Sequence, residues 1–192
     1  MVNPITRFRN LWEKITGSKS KKVSLETLLD LRASYGNLPN SIAPWVPSPL
    51  SVVKKMLEFT ELEPGEVLYD LGCGDGRIVI VAARDFDAIG MGVDIRAKLI
   101  DEAKSKAESL GLGESAKFVQ GDLFDVDLRS VDVVTMYLLT SANEKVRPKL
   151  EKELHLGARI VTHDFPIPGW KPKKQIDYSD ESGSHQIYLY VR

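Results

Sequence analysis

The chain has 192 residues, of which 43% are hydrophobic and 28% charged, and its formal net charge is −1. These values are typical of a soluble globular chain with one domain and an extension. The one cysteine, Cys73, excludes an internal disulfide and gives no zinc site. No apolar run of the sequence approaches the roughly 20 residues of a membrane span, and we do not expect a secretory peptide.

The charge is unevenly distributed along the chain. Residues 1–45 carry a net charge of +4 and residues 46–192 a net charge of −5. A basic arm on an acidic domain does not resemble a dedicated surface for duplex nucleic acid, so nucleic acid is a disfavoured partner. We therefore divide the chain into an N-terminal, helical, basic extension (1–45) and a main domain (46–192), and expect a cytoplasmic monomer without a metal.

The extension begins with a pattern typical of a basic amphipathic helix over residues 4–16. Residues 17–22 have the composition of a polar linker, and a second helix is predicted over 24–35. Four prolines in residues 38–49 then force an extended approach to a helix over 49–59. Three roles stay open for the first helix: docking on the main domain, contact with an anionic membrane, or binding of a partner. Its apolar positions are Ile5, Phe8, Trp12 and Ile15.

The main domain alternates strand-like and helix-like segments. Strands are predicted over residues 66–71, 88–94, 116–121, 131–138 and 157–163, and helices over residues 77–85, 97–110 and 143–154. This alternation indicates an α/β domain whose parallel sheet has helices on both faces. The chain ends with two strand-like runs, 173–178 and 185–191, joined by a polar loop over 179–184. They predict an antiparallel hairpin at the edge of the sheet.

A glycine-rich turn follows the first strand of this domain. It reads Asp70-Leu71-Gly72-Cys73-Gly74-Asp75-Gly76, and Gly72, Gly74 and Gly76 allow a sharp turn that approaches a ligand closely. In an open α/β sheet, ligands bind at the carboxyl ends of the strands. The carboxylates of Asp70 and Asp75 would repel a pyrophosphate but suit a ligand with an ammonium group. This electrostatic preference favours S-adenosylmethionine over NAD or ATP.

Two further acidic residues follow the next two strands. Asp94 ends the second strand, where a carboxylate can accept hydrogen bonds from both ribose hydroxyls, although it can also cap the following helix. Asp122 follows the third strand and can accept from an adenine amino group, while Leu123 covers the ring. An aspartate in that position is also common in ordinary turns. Acids at three successive strand ends together favour a nucleoside site.

These features resemble the class I, Rossmann-like methyltransferases, and the resemblance covers residues 47–192. It implies a seven-stranded, mostly parallel sheet in which the last strand inserts antiparallel. Within that class, several stretches resemble the archaeal protein lysine methyltransferases and the related mitochondrial lysine methyltransferases that modify the c-ring protein of ATP synthase. The stretches are Pro44-Trp45-Val46-Pro47-Ser48-Pro49, the glycine turn extended to Ile80, Met136-Tyr137-Leu138-Leu139 and His163-Asp164-Phe165-Pro166-Ile167-Pro168-Gly169-Trp170.

The resemblance implies S-adenosylmethionine as cofactor, bound by Asp70, Gly72, Cys73, Gly74, Gly76, Asp94, Asp122 and Leu123, and methyl transfer to lysine ε-amines of protein substrates. Tyr137 lies near the end of the fourth strand, the usual acceptor position in this class, where it can contact the amine or pack in the core. Asp164, with His163, follows the fifth strand and can line the same pocket. Trp45 and Trp170 can shape the acceptor channel or anchor loops. Tyr137-Leu138-Leu139-Thr140 replaces the proline-containing motif of nucleobase amine methyltransferases.

Three functional hypotheses therefore remain from the sequence. The first is a protein lysine methyltransferase, and the second is a methyltransferase of RNA or of a small metabolite. The third is a binding module that keeps the cofactor pocket without turnover. No dedicated base is predicted, because desolvation lowers the pKa of a lysine amine and bulk water can take its proton.

Overall fold

The computed structural model of the protein describes residues 42–43 and 45–192, which form one seven-stranded sheet flanked by helices. The helices are α1 (Leu50–Phe59), α2 (Arg77–Phe86), α3 (Ala97–Ser109) and α4 (Thr140–Glu153). The strands are β1 (Val67–Leu71), β2 (Ile89–Asp94), β3 (Ala116–Gln120), β4 (Val133–Met136), β5 (Arg159–His163), β6 (Lys174–Asp180) and β7 (Gly183–Val191).

The strand order is β3-β2-β1-β4-β5-β7-β6. β1 to β5 run parallel, whereas β7 pairs antiparallel with both β5 and β6. The predicted parallel sheet with a terminal hairpin is therefore confirmed. The chain order reverses between β1 and β4, and such a switch point leaves a crevice at the carboxyl ends of the neighbouring strands.

Alternating residues of the strands pack on opposite faces of the sheet and build two apolar cores. Val133 and Val161 contact the core that α1, α2 and α3 cover, whereas Val134 and Ile160 contact the core that α4 covers. The strands are thus apolar on both sides, as parallel strands between two helical layers must be. Helices on both faces were predicted, and this is confirmed.

The turn between β1 and α2 depends on close packing around its last glycine. Gly76 precedes α2 with a φ of 75°, in the left-handed region. A Cβ on Gly76 would stand 2.5 Å from the Phe118 ring and 2.7 Å from the Ala103 Cβ. Gly76 therefore fixes how tightly α2 approaches β3 and α3.

Several predicted boundaries were wrong, and three of them affect the site or the hairpin. α4 begins at Thr140 rather than at residue 143, because the backbone N–H groups of Ala142 and Asn143 already bond to the Leu139 carbonyl. β4 ends at Met136, before the predicted residue 138. The hairpin connection is two residues long instead of six, since the pairing of β6 with β7 continues to Asp180 opposite Gly183.

The predicted helices over 4–16 and 24–35 and the linker over 17–22 lie outside the described residues. The boundary between an extension and a main domain at residue 45 therefore stays a prediction. Among the described residues, none of the helices combines the length and the apolarity that crossing a bilayer requires.

Gly76→Ala tests the packing at the turn, with Gly111→Ala as its control. Both glycines have similar φ values, 75° and 70°, but no atom lies within 4 Å of a Cβ on Gly111. We expect Gly111→Ala to lower the free energy of unfolding by about 1 kcal/mol through backbone strain. Gly76→Ala should lower it by about 3 kcal/mol, because the clash adds to the same strain. Urea unfolding measures both, and equal losses would contradict this account.

Candidate active site

A cleft opens at the carboxyl ends of β1, β2 and β4, where the strand order reverses. Of the residues predicted to bind a cofactor, it brings together all but two glycines of the turn. The lining includes Asp70, Gly72, Cys73, Asp94, Asp122, Leu123 and Tyr137, and also Ile42, Ala43, Trp45 and Ser48 from the segment before α1. Gly74 and Gly76 shape the turn without lining the cleft.

Asp70, at the end of β1, is only 2% exposed. The Thr135 hydroxyl on neighbouring β4 donates a 2.7 Å hydrogen bond to Oδ1 of Asp70. Burial raises the pKa of Asp70 to about 7, against the opposing effect of that hydrogen bond, and the charges of Asp94 and Asp75 raise it further. The free cleft therefore holds a carboxyl group that is only partly ionised at pH 7, and a nearby cation would favour its charged form.

Asp94, at the end of β2, is 4% exposed and ties three segments together. Its Oδ2 accepts the Gly74 N–H at 3.0 Å, and its Oδ1 accepts the Arg96 N–H at 2.9 Å. The Arg96 side chain also donates to Oδ1, at 3.2 Å, and to the Ala43 carbonyl at 2.9 Å. Asp94 thus positions the glycine turn, and a ligand hydroxyl would compete with the guanidinium for its remaining lone pairs.

The glycine turn is held against β2 by its own backbone. The N–H groups of Gly72 and Cys73 both donate to the Val93 carbonyl, at 2.9 and 3.0 Å. Gly72 has a φ of 89°, and a Cβ there would stand 3.0 Å from Leu138 Cδ2, so a side chain would narrow the cleft. Burial, with the charges of Asp70 and Asp94, raises the pKa of the Cys73 thiol well above its ordinary value. Cys73 is therefore a neutral thiol rather than a nucleophile.

Asp75 differs from what the sequence suggested, because its charge is already paired. Arg77 donates from Nε at 2.9 Å and from Nη2 at 2.6 Å to the Asp75 carboxylate. The same guanidinium donates to the Ser48 carbonyl at 2.8 Å and anchors the segment before α1. Asp75 is thus a structural partner of Arg77, and Asp70 is a cleft aspartate that has no arginine partner among the ion pairs of the described residues, whereas Asp94 pairs with Arg96.

Asp122 and Leu123 lie beyond the end of β3, on the far side of the cleft. Asp122 Oδ1 accepts the Phe124 N–H at 3.0 Å, which is the turn role that the sequence left open. The side chain is partly exposed, and Leu123 beside it is buried. A turn role and a contact with a ligand are compatible here, because one carboxylate oxygen remains outside that turn bond.

Tyr137 directly follows β4 and lines the cleft at the position where the sequence predicts the acceptor amine. Its hydroxyl donates to Asp164 Oδ2 at 3.3 Å, and its ring lies 3.9 Å from the His163 ring, centroid to centroid. Asp164 itself does not line the cleft. It stands behind Tyr137, in a left-handed conformation with a φ of 58°. Burial and the Asp164 charge raise the pKa of Tyr137, so its hydroxyl stays protonated.

Asp164 is ionised although it is largely buried. Burial by itself would raise the pKa of Asp164, but the contacts of His185, His163 and the Gln186 N–H together hold it below the usual value. The Gln186 N–H donates to Oδ1 at 2.9 Å. A fixed negative charge therefore lies behind the Tyr137 ring.

Sequence reasoning missed three residues of the site: Arg96, Thr135 and Ser48. Arg96 and Thr135 contact the two buried carboxylates, and Ser48 Oγ lies 2.9 Å from His163 Nδ1. Only Arg96, two residues after Asp94, had a local signal. The other two meet their partners across 65 and 115 residues of chain, so only the sheet topology reveals them. Of the two roles that the sequence left open for Trp170, the structure favours the loop anchor, because Trp170 does not line the cleft and its Nε1 donates to Glu151 at 2.8 Å.

Comparison with known proteins identifies the family of this chain. The model of the ANTKMT methyltransferase domain matches residues 70–174. A protein-lysine N-methyltransferase of Saccharolobus islandicus is 48% identical over 149 residues, which is 77% of this chain and 92% of the relative. Two mouse lysine N-methyltransferases, one named for adenine nucleotide translocase and one for an ATP synthase component, are 34% and 32% identical over 77% of this chain. The chain spans only 62% and 57% of those two.

A solved structure agrees with the fold and with the cofactor. The RNA methyltransferase of Salinibacter ruber, in complex with S-adenosylhomocysteine, superposes with a TM-score of 0.72 at 42% identity. The match covers 76% of this chain and 93% of that one. The fold and the cleft at the switch point thus define a class I, S-adenosylmethionine-dependent methyltransferase. More narrowly, the chain belongs to the family of the ANTKMT methyltransferase domain, as the resemblance in its sequence implied.

The residues of the cleft fit S-adenosylmethionine. Asp70 and Asp94 present buried negative charge to a ligand that carries a sulfonium and an ammonium group. Gly72 leaves open the space that a Cβ would fill in front of Leu138. The individual roles predicted for the cleft residues remain predictions.

The pKa of Asp70 predicts a pH-dependent affinity for S-adenosylmethionine. Below pH 7 the carboxyl is mostly protonated, and a cationic ligand must displace that proton. We expect affinity to increase about tenfold from pH 5.5 to pH 7, a range below the titration of the ligand's own amine. Calorimetry measures it. Asp70→Asn should bind more weakly at pH 7 and without this dependence, and a wild-type affinity equal at both pH values would contradict the assignment.

Proposed function

We propose that this methyltransferase transfers methyl groups from S-adenosylmethionine to lysine ε-amines of protein substrates. The observation that carries the proposal is the 48% identity with a protein-lysine N-methyltransferase over 92% of that relative's length. The two mouse relatives also act on lysine, according to their names. The natural partners of this chain are then proteins with accessible lysines, and a monomer located in the cytoplasm suffices for this activity.

The cofactor supplies a methyl group already activated by the sulfonium, so the protein's task is to hold both reactants in line. We assign Asp94 to the ribose hydroxyls and Asp122 to the adenine amino group, with Leu123 against the ring. Asp70 faces the cationic end of the ligand. These assignments rest on the positions of the side chains at the ends of β1, β2 and β3.

The acceptor amine must lose its proton before it attacks, because a free lysine has a pKa near 10.4. Its nitrogen then forms a bond to the methyl carbon while the carbon–sulfur bond breaks and the electron pair stays on sulfur. Leu138, buried beside Tyr137, makes this part of the cleft apolar and disfavours the charged amine. Asp164, ionised behind Tyr137, attracts the incoming ammonium. We therefore propose Tyr137 and Asp164 as the residues that guide the amine.

RNA methylation is the second candidate, because the Salinibacter ruber protein is named an RNA methyltransferase. The charges of the cleft oppose it for this chain. The described lining contains four aspartates, Asp70, Asp75, Asp94 and Asp122, against Arg77 and Arg96. Both of these arginines form ion pairs with aspartates of the same cleft. A phosphate backbone would therefore meet little free positive charge here.

Incubation with radiolabelled S-adenosylmethionine tests the two candidates together. The purified protein is mixed with total protein and total RNA from one cell extract, and a parallel sample contains protein whose lysines were acetylated beforehand. We expect label in the protein fraction, lost after acetylation, and methyl-lysine in its hydrolysate. Asp94→Asn serves as a control for cofactor-dependent labelling.

The outcomes separate the hypotheses cleanly. Label in RNA that is insensitive to lysine acetylation would establish the second candidate and contradict the proposal. Absence of label from both fractions, with cofactor binding intact by calorimetry, would leave the chain as a binding module, which also contradicts it.

A further inference from the structure

A continuous chain of hydrogen bonds leads from the cleft to the tip of the terminal hairpin. It starts at Ser48, which lines the cleft and whose Oγ lies 2.9 Å from His163 Nδ1. His163 Nε2 lies 3.0 Å from His185 Nδ1, and His185 Nε2 lies 2.9 Å from Ser182 Oγ. Ser182 Oγ in turn contacts Asp180 Oδ1. Sheet pairing of β5 with β7 brings these distant residues together.

The outer end of this hydrogen-bonded path gives one consistent direction to the hydrogen bonds along it. Asp180 is ionised, since hydrogen bonds from Ser182 and then Ser51 lower its pKa to about 2, so it can only accept. The Ser182 hydroxyl therefore donates to Asp180 and accepts from His185 Nε2. In the tautomer that carries its proton on Nε2, His185 accepts at Nδ1 from His163 Nε2, which leaves His163 Nδ1 to accept from Ser48. All four donors point outward from the cleft.

His163, the buried histidine of the path, is neutral at pH 7, and the carboxylate of Asp164 lies beside it. His163 is 0% exposed, and burial lowers its pKa to about 4 despite the Asp164 charge. Asp164 Oδ2 lies 3.4 Å from His163 Nε2 and 3.8 Å from His185 Nδ1. The titratable groups near the two rings include Asp164, Tyr137 and Asp180, and Tyr178 stands directly opposite His185 in the pairing of β6 with β7. A neutral imidazole has one donor and one acceptor nitrogen, and a nearby carboxylate stabilises it when it is briefly charged.

We propose that His163 and His185 form a proton relay that carries the proton of the acceptor amine from Ser48 in the cleft to Asp180 at the surface. This inference rests on the proposed function, because it requires an acceptor that arrives as an ammonium ion. His163 and His185 are positioning residues here, acting on the amine through Ser48.

The proton balance of the relay is simple. The ammonium gives one proton to Ser48 Oγ as the Ser48 proton moves to His163 Nδ1. The Nε2 proton of His163 moves to His185 Nδ1, and the Nε2 proton of His185 leaves through Ser182 toward Asp180 and bulk water. One proton enters and one leaves, and no electron changes place. The original tautomers return by exchange with water when the product has left the cleft.

A bound divalent cation is the competing interpretation of the same residues. The ligand atoms of His163, Asp164 and His185 lie within 4.8 Å of one another, close enough to share an ion. The relay is the better account because the two histidine nitrogens that would bind the ion are already hydrogen-bonded to each other at 3.0 Å.

The variant His185→Asn tests the relay, and His155→Asn is its matched control. An asparagine can still accept the bond from His163 but cannot pass a proton on to Ser182. His155 is an exposed histidine between α4 and β5, before the amino end of β5, whereas His163 lies at the carboxyl end of the same strand. At pH 7 we expect kcat for lysine methylation to fall about 30-fold in His185→Asn, with KM for the protein substrate changed less than about twofold. His155→Asn should match the wild type.

The pH profile separates a relay from a structural role. As pH increases from 7 to 9.5, the fraction of neutral lysine rises steeply, since its pKa is near 10.4. The deficit of His185→Asn should therefore shrink to about threefold at pH 9.5. Ser48→Ala should show the same pH-dependent deficit, and the double variant should be no worse than the worse single variant, because both interrupt one path. Thermal unfolding at each pH verifies that all variants remain folded.

Three results would overturn the relay. One is a deficit in His185→Asn that does not change with pH, and another is full activity in Ser48→Ala. The third is loss of wild-type activity on treatment with EDTA and its recovery with Zn²⁺ or Mn²⁺, which would make the cluster a metal site. A wild type that methylates no lysine contradicts the proposed function itself, and the relay with it. An active wild type with a pH-independent deficit contradicts the relay alone.

Discussion

The burial of two carboxyl groups, Asp70 and Asp94, at the carboxyl ends of β1 and β2 is the constraint on which the site depends. Removing negative charge from water is unfavourable unless hydrogen bonds or a cation compensate it. Asp94 is compensated by backbone N–H groups and Arg96, whereas Asp70 has the Thr135 hydroxyl and a pKa raised to about 7. The negative charge of Asp70 is therefore only partly compensated until a cationic ligand binds. This uncompensated charge favours S-adenosylmethionine, which carries a sulfonium and an ammonium group.

The sheet topology places the residues of the acceptor side next to these two carboxyl groups. Because β4 and β5 lie next to β1 on the other side, Tyr137 and His163 end at the same edge as Asp70. Insertion of β7 beside β5 then brings His185 against His163. The carboxyl ends of the strands thus hold negative charge for the cofactor and, beginning at Ser48 in the same cleft, a hydrogen-bonded path for the proton that the acceptor releases. Methyl transfer needs both, since the amine attacks only in its neutral form.

The sequence predicted the sheet, the terminal hairpin and the residues of the cofactor cleft, because these depend on local signals. Alternating apolar segments mark the strands, and Gly72, Asp94 and Asp122 lie at strand ends or within two residues after them. Features that depend on distant contacts were not predictable in this way. Ser48 meets His163 across 115 residues, and Thr135 meets Asp70 across 65. The charge of Asp75 was misjudged for a different reason: its partner Arg77 is local, but only the turn geometry shows that the two side chains face each other.

Direct titration of Asp70 tests the central claim most closely. With aspartate labelled by ¹³C at the carboxyl carbon, and Asp70→Asn to assign the resonance, NMR follows its ionisation with and without S-adenosylhomocysteine, which keeps the ammonium group. The account predicts a midpoint near pH 7 in the free protein and a midpoint at least about one pH unit lower in the complex. A carboxyl that is already ionised at pH 5 without ligand, or a midpoint that the ligand does not move, would contradict it.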